Sequence, residues 1–476
     1  MYDIIIIGGG IIGCATAREL SRYDFNILLV ERGTDIACGA TKANSGILHA
    51  GYDCHPGTLK AALNVQGAAM YPDLCKELDI PYHINGSMVI GTNEKDFSRL
   101  QALYKQGLEN GVKDMELLSR EEVLALEPNL TGHVTAALRA KTAGVISPYE
   151  AGIAFGENAA QNGVEFLLET EVIRVETDAG RGYIVHTAGG RCAPLCGKVI
   201  INAAGIESAN IHNHISSHKE AIIPQRGQYF LLDNTQKDLV KHTIFPLPSH
   251  LGKGSLIVPT VDGNILLGPT AEEPESPTAT GTTAEGLKNA LDKVSILLKS
   301  VPIYDCITAY AGIRAKHKDK DFVIEEVAPG FINAMGIDSP GLSAAPAIAA
   351  RIVEIVTSRL QPNLNHNFKA QRIGKKSFRD LSQTEQAALI KENPAYGRVV
   401  CRCETITEAE IIDAIHRPLG ARNLDAIKRR TRAQMGRCQG GFCKLRLVEL
   451  LSQELGIPPA AVTMDGPGSE LMPIQL

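Results

Sequence analysis

No stretch of this 476-residue sequence is apolar for the roughly twenty residues needed to cross a bilayer, so a membrane-spanning channel or carrier is not expected. There is no basic excess: 48 Lys and Arg stand against 53 Asp and Glu, for a net charge of −5. The broad positive surface that nucleic acid calls for is therefore missing. No signal-peptide pattern precedes the first strand-like run, which begins at Tyr2. Internal repeats and low-complexity tracts are also absent. These absences leave an ordinary, mildly acidic globular chain, long enough for about three domains and a large core. The expected location is the cytoplasm, with any membrane association at most peripheral. Of the 11 cysteines, Cys14, Cys38, Cys54, Cys75, Cys192, Cys196 and Cys306 lack ligand-like spacing, apart from a loose Cys192/Cys196 pair. In a reducing compartment most read as small core residues.

What is present is concentrated at the two ends. Ile4 to Ile7 is an unbroken apolar run, followed at once by Gly8-Gly9-Gly10-Ile11-Ile12-Gly13, a helical stretch from Cys14 to Arg22, and a second apolar run, Ile27 to Val30, closing on Glu31. This order predicts strand, glycine turn, helix, strand and acid, with both strands buried on two faces of a parallel sheet. Gly8 permits the tight turn, Gly10 lets backbone approach a pyrophosphate, and Gly13 lets helix and strand pack closely. The helix N-terminus offers unpaired N–H groups and the positive end of its dipole to the phosphates, and Glu31 is placed for ribose hydroxyls. The unit therefore binds a dinucleotide, and the motif alone leaves FAD and NAD both open.

Small residues then run from Cys38 to Gly51 and include His49. They suit a backbone lying along a flat cofactor, and equally suit a surface loop with a structural histidine. Leu59 to about Leu126 has helical patterning. Pro148 to about Gln161 reads as a helix, and Gly163–Phe166, Glu171–Glu176 and Lys198–Gly205 as strands, the last returning the chain to the cofactor sheet. From about Ala221 to Pro269 the alternation predicts an antiparallel sheet walling a substrate site. A loop over Glu272–Thr283 and a helix from Ala284 to about Ser300 follow. Tyr310–Lys318 is cationic beside a small-residue turn. Phe331–Ala345 should be a strand and an open loop, leading into a helix from Pro346 to about Leu360. Gln361 to about Tyr396 is polar and reads as a connector.

At the far end, Cys401-Arg402-Cys403 and Cys438-Gln439-Gly440-Gly441-Phe442-Cys443 form two close pairs that can bring four thiolates together. A [2Fe–2S] cluster and a structural zinc both remain open, although C-x-C is tighter than the usual zinc knuckle. The glycines after Cys438 let backbone amides turn toward sulfur. Thr407-Glu408-Ala409-Glu410 has capping-box form and starts a helix. A second helix after Cys443 carries the stripe Leu447, Val448, Leu451 and Leu455, with Gly456 as its stop. Arg429, Arg430, Arg432 and Arg437 could offset an anionic cluster, form a docking patch for an acidic partner, or be a solvated face.

Two resemblances cover nearly the whole chain. Through Gly8–Gly13 with Glu31, NSGILHAG ending near His49, VPTVDGNILLGPTA, GIRA around Arg314, and GIDSPGLSAAPAIA, residues 1 to about 365 resemble the D-amino-acid-oxidase superfamily. The resemblance is strongest to the branch of FAD-dependent glycerol-3-phosphate dehydrogenases and L-2-hydroxyglutarate dehydrogenases. Residues 398–455, with RRTRAQMGRCQGGFC, resemble the [2Fe–2S] domain of bacterioferritin-associated ferredoxin, which also ends the large subunit of anaerobic glycerol-3-phosphate dehydrogenases. The resemblances imply an α/β fold: a Rossmann-like FAD domain (1–75, 140–220, 305–365) interleaved with an α+β substrate domain (76–139, 221–304). A connector (366–396) and a small helical [2Fe–2S] domain (397–476) complete it. They imply non-covalent FAD and a cluster on Cys401, Cys403, Cys438 and Cys443. By position, Gly8, Gly10, Ile12, Gly13, Glu31 and Arg32 would hold the ADP half, and Thr41, Asn44, Ser45 and Gly46 the flavin. Val172 would meet the adenine, and Ala204 and Gly205 the pyrophosphate. Gly312, Gly336, Gly341, Leu342 and Ser343 would meet the ring or ribityl chain.

Oxidising a secondary alcohol moves hydride to flavin N5 while the hydroxyl proton leaves, so a base and a cationic anchor are needed. His49 is the expected base and Arg314 the expected anchor, with Lys316, His317 and Arg226 assisting. A guanidinium suits phosphate or carboxylate alike. Glycerol 3-phosphate is the first substrate choice, L-2-hydroxyglutarate or another 2-hydroxy acid the second, and an amine the third. Electrons would leave through the cluster to a partner protein. A reading from another class, an electron-transfer subunit without its own substrate, has no need of His49 and Arg314.

Overall fold

The computed structural model describes residues 1–190, 193–247 and 254–471; Cys192 of the loose pair lies outside them. The fold is the α/β arrangement expected. Tyr2–Ile7 is the central strand of a sheet, parallel to Ile27–Val30 on one side and Leu195–Asn202 on the other. Glu165–Leu167 extends the parallel set beyond Ile27–Val30, and Phe331–Met335 extends it beyond Leu195–Asn202. Ile4, Ile5, Ile6 and Ile27 to Val30 are essentially unexposed, because helices cover one face and an antiparallel flap packs Val175, Tyr183 and Val185 on the other. The covering helices are Ile11–Leu20, Leu59–Leu78, Pro148–Gln161 and Gly341–Leu360, which share one apolar core with the sheet. The flap includes Thr170–Asp178 and Gly182–Gly189.

Gly341–Leu360 is the one helix among the described residues long and apolar enough to cross a membrane. Its apolar side is spent in this core, against Leu59–Leu78 and Ile11–Leu20. The helix begins at Gly341, five residues before the expected Pro346. Pro346 sits in its second turn, where it cannot bond the Leu342 carbonyl; the Tyr71 hydroxyl donates to that carbonyl instead, at 2.7 Å.

A second sheet, eight strands among the described residues, forms the other half of the body. Its order runs Cys306–His317, Ile222–Leu232, Ile265–Gly268, Leu256–Pro259, Thr243–Pro246, Ser87–Gly91, Ala136–Ala140, Met115–Ser119. All neighbours are antiparallel except Thr243–Pro246 with Ser87–Gly91, which are parallel. The helical reading of residues 59–126 is corrected here: Ser87–Gly91 and Met115–Ser119 are strands. Ser87–Gly91 is buried at all five positions, so it lacks the two-residue alternation that marks a strand in sequence.

The C-terminal part is a small helical body with its own core. Glu408–His416, Leu424–Thr431 and Lys444–Leu455 pack around Ile411, Ile427, Leu447 and Leu451. The capping box is formed: Thr407 Oγ1 accepts from the Glu410 N–H, and the Glu410 carboxylate accepts from the Thr407 N–H at 2.8 Å. Gly456 ends the last helix in the left-handed region, φ 66°.

Candidate active site and cluster loops

A cleft of about 1040 Å³ runs from the glycine turn to the second sheet. At one end it is lined by Gly8, Gly10, Ile12, Glu31 and Arg32, with Val172, Ala204 and Gly205 across from them. Gly8 adopts φ 107°, and a Cβ there would lie 2.4 Å from the Ala203 carbonyl oxygen. A Cβ on Gly13 would lie 1.9 Å from the Gly8 carbonyl oxygen, so Gly13 sits between helix and strand and does not face the cleft. The opposite holds where the cleft is open. A Cβ on Gly10 would meet only Thr41 Oγ1, at 3.5 Å, and one on Gly205 (φ 57°) would meet nothing within 4 Å. Thr41 Oγ1 accepts from the Ile11 N–H at the helix N-terminus, 3.0 Å away. The Glu31 carboxylate accepts from the N–H groups of Gly9 (2.6 Å) and Gly33 (2.7 Å), which ties the glycine turn to the end of the second strand. A long slot opening on a helix N-terminus and edged by a carboxylate fits the ADP half of FAD.

The other end of the cleft is floored by Asn44, Ser45 and His49 and walled by Gly312, Arg314 and Lys316, with Gly341 and Leu342 at the N-terminus of the long helix. A Cβ on Gly312 would lie 2.0 Å from the Ala43 carbonyl oxygen, so only glycine lets this strand run against the 41–45 loop. Arg314 donates to Gln225 Oε1 (3.2 Å) and to the Thr270 carbonyl (2.9 Å), which holds the guanidinium flat against the wall. Lys316 has no ion-pair or hydrogen-bond partner among the described residues and lines the same wall. His49 is half-buried. Its N–H donates to Ser343 Oγ (2.7 Å), its Nε2 is 3.4 Å from Ser339 Oγ, and its ring lies 5.9 Å from that of Phe245. Tyr229 and Tyr310 stack at 4.9 Å in the wall, and burial raises the phenol pKa of both.

Several expected residues point elsewhere. In the paired strands Ile222–Leu232 and Cys306–His317, Gln225 stands opposite Arg314 and Tyr229 opposite Tyr310. Successive side chains alternate faces, so Arg226 and His317 leave the cleft. Arg226 is buried among Glu272 and Glu275. His317 is 2% exposed and its Nε2 is 3.0 Å from Glu220. Burial opposes ionisation of Glu220, but hydrogen bonds from Lys318 and His317 outweigh it and hold the carboxyl at about 2. Gly336 packs on His317, where a Cβ would lie 2.6 Å from the His317 Cβ. Gly46 faces the Ile146 carbonyl, and Ser343 is fully buried, joining His49 to the Ile47 carbonyl. Gln225 was missed; the register against Arg314 is what would have found it.

The four cysteines meet as two facing pairs. Cys401 and Cys443 hydrogen-bond to each other, which lowers the pKa of Cys401 and raises that of Cys443. Burial opposes ionisation of Cys438, yet the N–H groups of Phe442, Gly440 and Gly441 and the Cys403 thiol outweigh it and lower its pKa. Among the described residues no three His, Cys, Asp or Glu side chains converge to hold a single ion. Thiols set out two and two are what a two-iron cluster asks of its protein. Cys401 and Cys443 are buried, Cys438 is half-buried and Cys403 is exposed.

The arginines near the second pair do not form the surface considered from sequence. Arg429 and Arg430 are 3% and 5% exposed and converge on Asp35 of the nucleotide-binding part, at 2.7 and 2.6 Å. Arg432 is buried between Glu404 and Asp262. Arg437 alone is exposed, paired with Asp233 at 3.1 Å.

Comparison with known families agrees with this geometry. Residues 3–355 match the family described as FAD dependent oxidoreductase. The chain belongs to that family. Its residues 399–453 match the BFD-like [2Fe-2S] binding domain, so the flavoprotein carries a [2Fe–2S] cluster as well as FAD, and the zinc alternative falls. The chain is 45% identical to a glycerol 3-phosphate dehydrogenase of Caloramator mitchellensis, over 99% of its own length and 98% of that protein. A glycerol 3-phosphate oxidase of Mycoplasma pneumoniae is 32% identical over 77% of this chain and 97% of its own. The solved L-α-glycerophosphate oxidase from that organism, dithionite-reduced with FAD bound, superposes with a TM-score of 0.74 at 30% identity and covers 78% of this chain. Human mitochondrial L-2-hydroxyglutarate dehydrogenase is 27% identical over 76% of this chain and 89% of that protein.

Proposed function

We propose that this flavoprotein oxidises sn-glycerol 3-phosphate to dihydroxyacetone phosphate and passes the electrons through its [2Fe–2S] domain to a partner protein. The observation that carries this reading is the end-to-end match to a protein named glycerol 3-phosphate dehydrogenase, joined to a cleft whose reactive end holds two cations, Arg314 and Lys316. Bound FAD supplies the hydride acceptor, and the cluster a carrier of single electrons.

The chain's own residues do the rest. Arg314, pre-positioned by Gln225 and the Thr270 carbonyl, turns its remaining N–H groups to the phosphate, and Lys316 adds a second charge. His49 accepts the hydroxyl proton on its imidazole, whose Nε2 lies 3.4 Å from Ser339 Oγ. The FAD is held without a covalent bond, by the glycine turn, Glu31 and the 41–45 loop. The named oxidase relatives match 77% of this chain with 97% of their own length, which leaves too little of them for a counterpart of the whole cysteine-bearing tail. That supports an electron exit through the tail and poor direct reaction with oxygen. A cytoplasmic location with at most peripheral membrane contact is part of the same proposal.

The 2-hydroxy acid reading keeps support from the L-2-hydroxyglutarate dehydrogenase relatives and from a guanidinium that grips carboxylates as well. Anaerobic addition of each compound separates the readings. Glycerol 3-phosphate should bleach the flavin absorbance, and bleaching by L-2-hydroxyglutarate alone would overturn the choice. A protein reduced by no small alcohol, acid or amine, but by a reductase, would instead be an electron relay.

A further inference from the structure

Arg432 occupies a place that neither the substrate reaction nor cluster ligation explains. It caps the helix Leu424–Thr431 in the left-handed region, φ 72°, with its side chain 6% exposed. Its guanidinium reaches three parts of the chain at once. Nε donates to Glu404 Oε2 (2.8 Å), beside the ligand Cys403. Nη1 donates to Asp262 Oδ2 (2.6 Å) and Nη2 to Asn264 Oδ1 (3.0 Å), both in the turn that joins two strands of the second sheet. Nη1 is also 3.4 Å from the Tyr149 hydroxyl, on the helix Pro148–Gln161 of the nucleotide-binding part. Arg379 of the connector grips the same two acids, Asp262 at 2.8 Å and Glu404 at 3.0 Å.

A buried guanidinium is costly unless its donors are met, and here each nitrogen has a partner. Lysine, with a single point charge on a flexible stem, could not span the same set. Glu404 is in turn fixed to the cluster loop. A Cβ on Gly436 would lie 2.3 Å from the Cys403 Cβ, so the chain just after Arg432 is pressed against the first ligand pair. The arginine therefore joins the cysteine loop to the second sheet and to a helix that covers the first.

We propose that Arg432 is a positioning residue for electron transfer: by holding Glu404, Asp262, Asn264 and Tyr149 together, it fixes the Cys401–Cys403 loop at one place relative to the FAD cleft. The inference rests on the proposed route of electrons through the tail. Of the two electrons released per alcohol, one passes to the cluster and the other stays on the flavin until a partner protein empties the cluster. Electron transfer between fixed centres depends on their separation, whereas reduction of the flavin by substrate does not involve this contact.

The test uses full-length holoprotein carrying Arg432→Gln, Arg432→Lys or Asp262→Asn. In anaerobic stopped flow, flavin bleaching by glycerol 3-phosphate should stay at the wild-type rate. Appearance of the reduced-cluster signal in rapid-freeze spin resonance should slow severalfold. Arg432→Lys should fall between Gln and wild type. X-ray scattering should show a larger radius of gyration for Arg432→Gln, a readout independent of turnover. Light-driven reduction of the flavin replaces substrate in a parallel run, so a wrong substrate choice leaves the comparison intact. Should Arg432→Gln fail to fold, Asp262→Asn, which leaves the Arg432–Glu404 bond in place and weakens the hold of Arg432 and Arg379 on the second sheet, gives the answer. Wild-type cluster reduction in a folded variant overturns the proposal.

Discussion

Replacing Asp35 by asparagine removes one negative charge from a site where two arginines depend on it. Asp35 is 3% exposed and accepts from Arg429 Nη2 (2.7 Å) and from Arg430 Nη1 (2.6 Å) and Nη2 (2.8 Å). The Nε atoms of both arginines are buried without a partner, and no carboxylate other than Asp35 forms an ion pair with either among the described residues. Leaving buried charges uncompensated costs about 3–5 kcal/mol. Because Asp35 belongs to the nucleotide-binding part and the arginines to the cluster domain, the loss falls on the docking of the two. Urea slopes of about 1–3 kcal/mol/M turn that loss into a fall of at least about 1 M in the midpoint at which the visible absorbance of the cluster disappears. The exposed pair Arg446–Glu449 is the control: Glu449→Gln should change stability by less than about 0.5 kcal/mol. Burial opposes ionisation of Asp35, but Arg430 and Arg429 outweigh it and lower its pKa. A lowered folded value means that its stabilisation is present above the unfolded value of about 3.9 and is lost as pH falls through the folded one. Wild type and Asp35→Asn should therefore differ fully at neutral pH and converge in acid. Equal urea midpoints at neutral pH would refute the reasoning.

Arg314→Ala should weaken glycerol 3-phosphate binding by roughly 10- to 150-fold, the worth of about 1.5–3 kcal/mol for a charge-assisted contact, as read from flavin bleaching. Uncharged glycerol should be little affected. His49→Gln should lower the rate of flavin reduction by about 10²–10⁴-fold with a smaller change in substrate affinity, measured by single-turnover kinetics. Arg226→Gln should lower thermal stability, because it strips Glu272 and Glu275 of their buried partner, and should leave KM unchanged. Acid precipitation should release all of the flavin into the supernatant, as expected of non-covalent FAD.

Much of this arrangement was legible in the sequence because its signals are local. The run Ile4–Ile7, the glycines and Glu31 all lie between residues 4 and 31, and a strand–turn–helix reading follows from them directly. The capping box at Thr407–Glu410 and the cysteine spacings are equally local. The failures have two physical sources. One is parity. Arg226 and His317 lie one residue from cleft-facing Gln225 and Lys316, and a one-residue step on a strand inverts the direction of a side chain. The other is long range. Arg429, Arg430 and Arg432 look solvated until Asp35, nearly four hundred residues earlier, and Asp262 are brought beside them. Ser87–Gly91 fails for a related reason: buried on both faces, it carries no alternation, and only its partners Ala136–Ala140 and Thr243–Pro246 define it as a strand.

The central claim is that one small anionic alcohol reduces the flavin and that its electrons then reach iron held by the four C-terminal cysteines. Anaerobic titration of the purified protein with glycerol 3-phosphate, read by flavin absorbance and low-temperature spin resonance on the same samples, tests it most directly. The account predicts loss of the flavin band together with a rhombic reduced-cluster signal that Cys438→Ser abolishes. A bleached flavin with no cluster signal at any ratio of substrate to protein would contradict it.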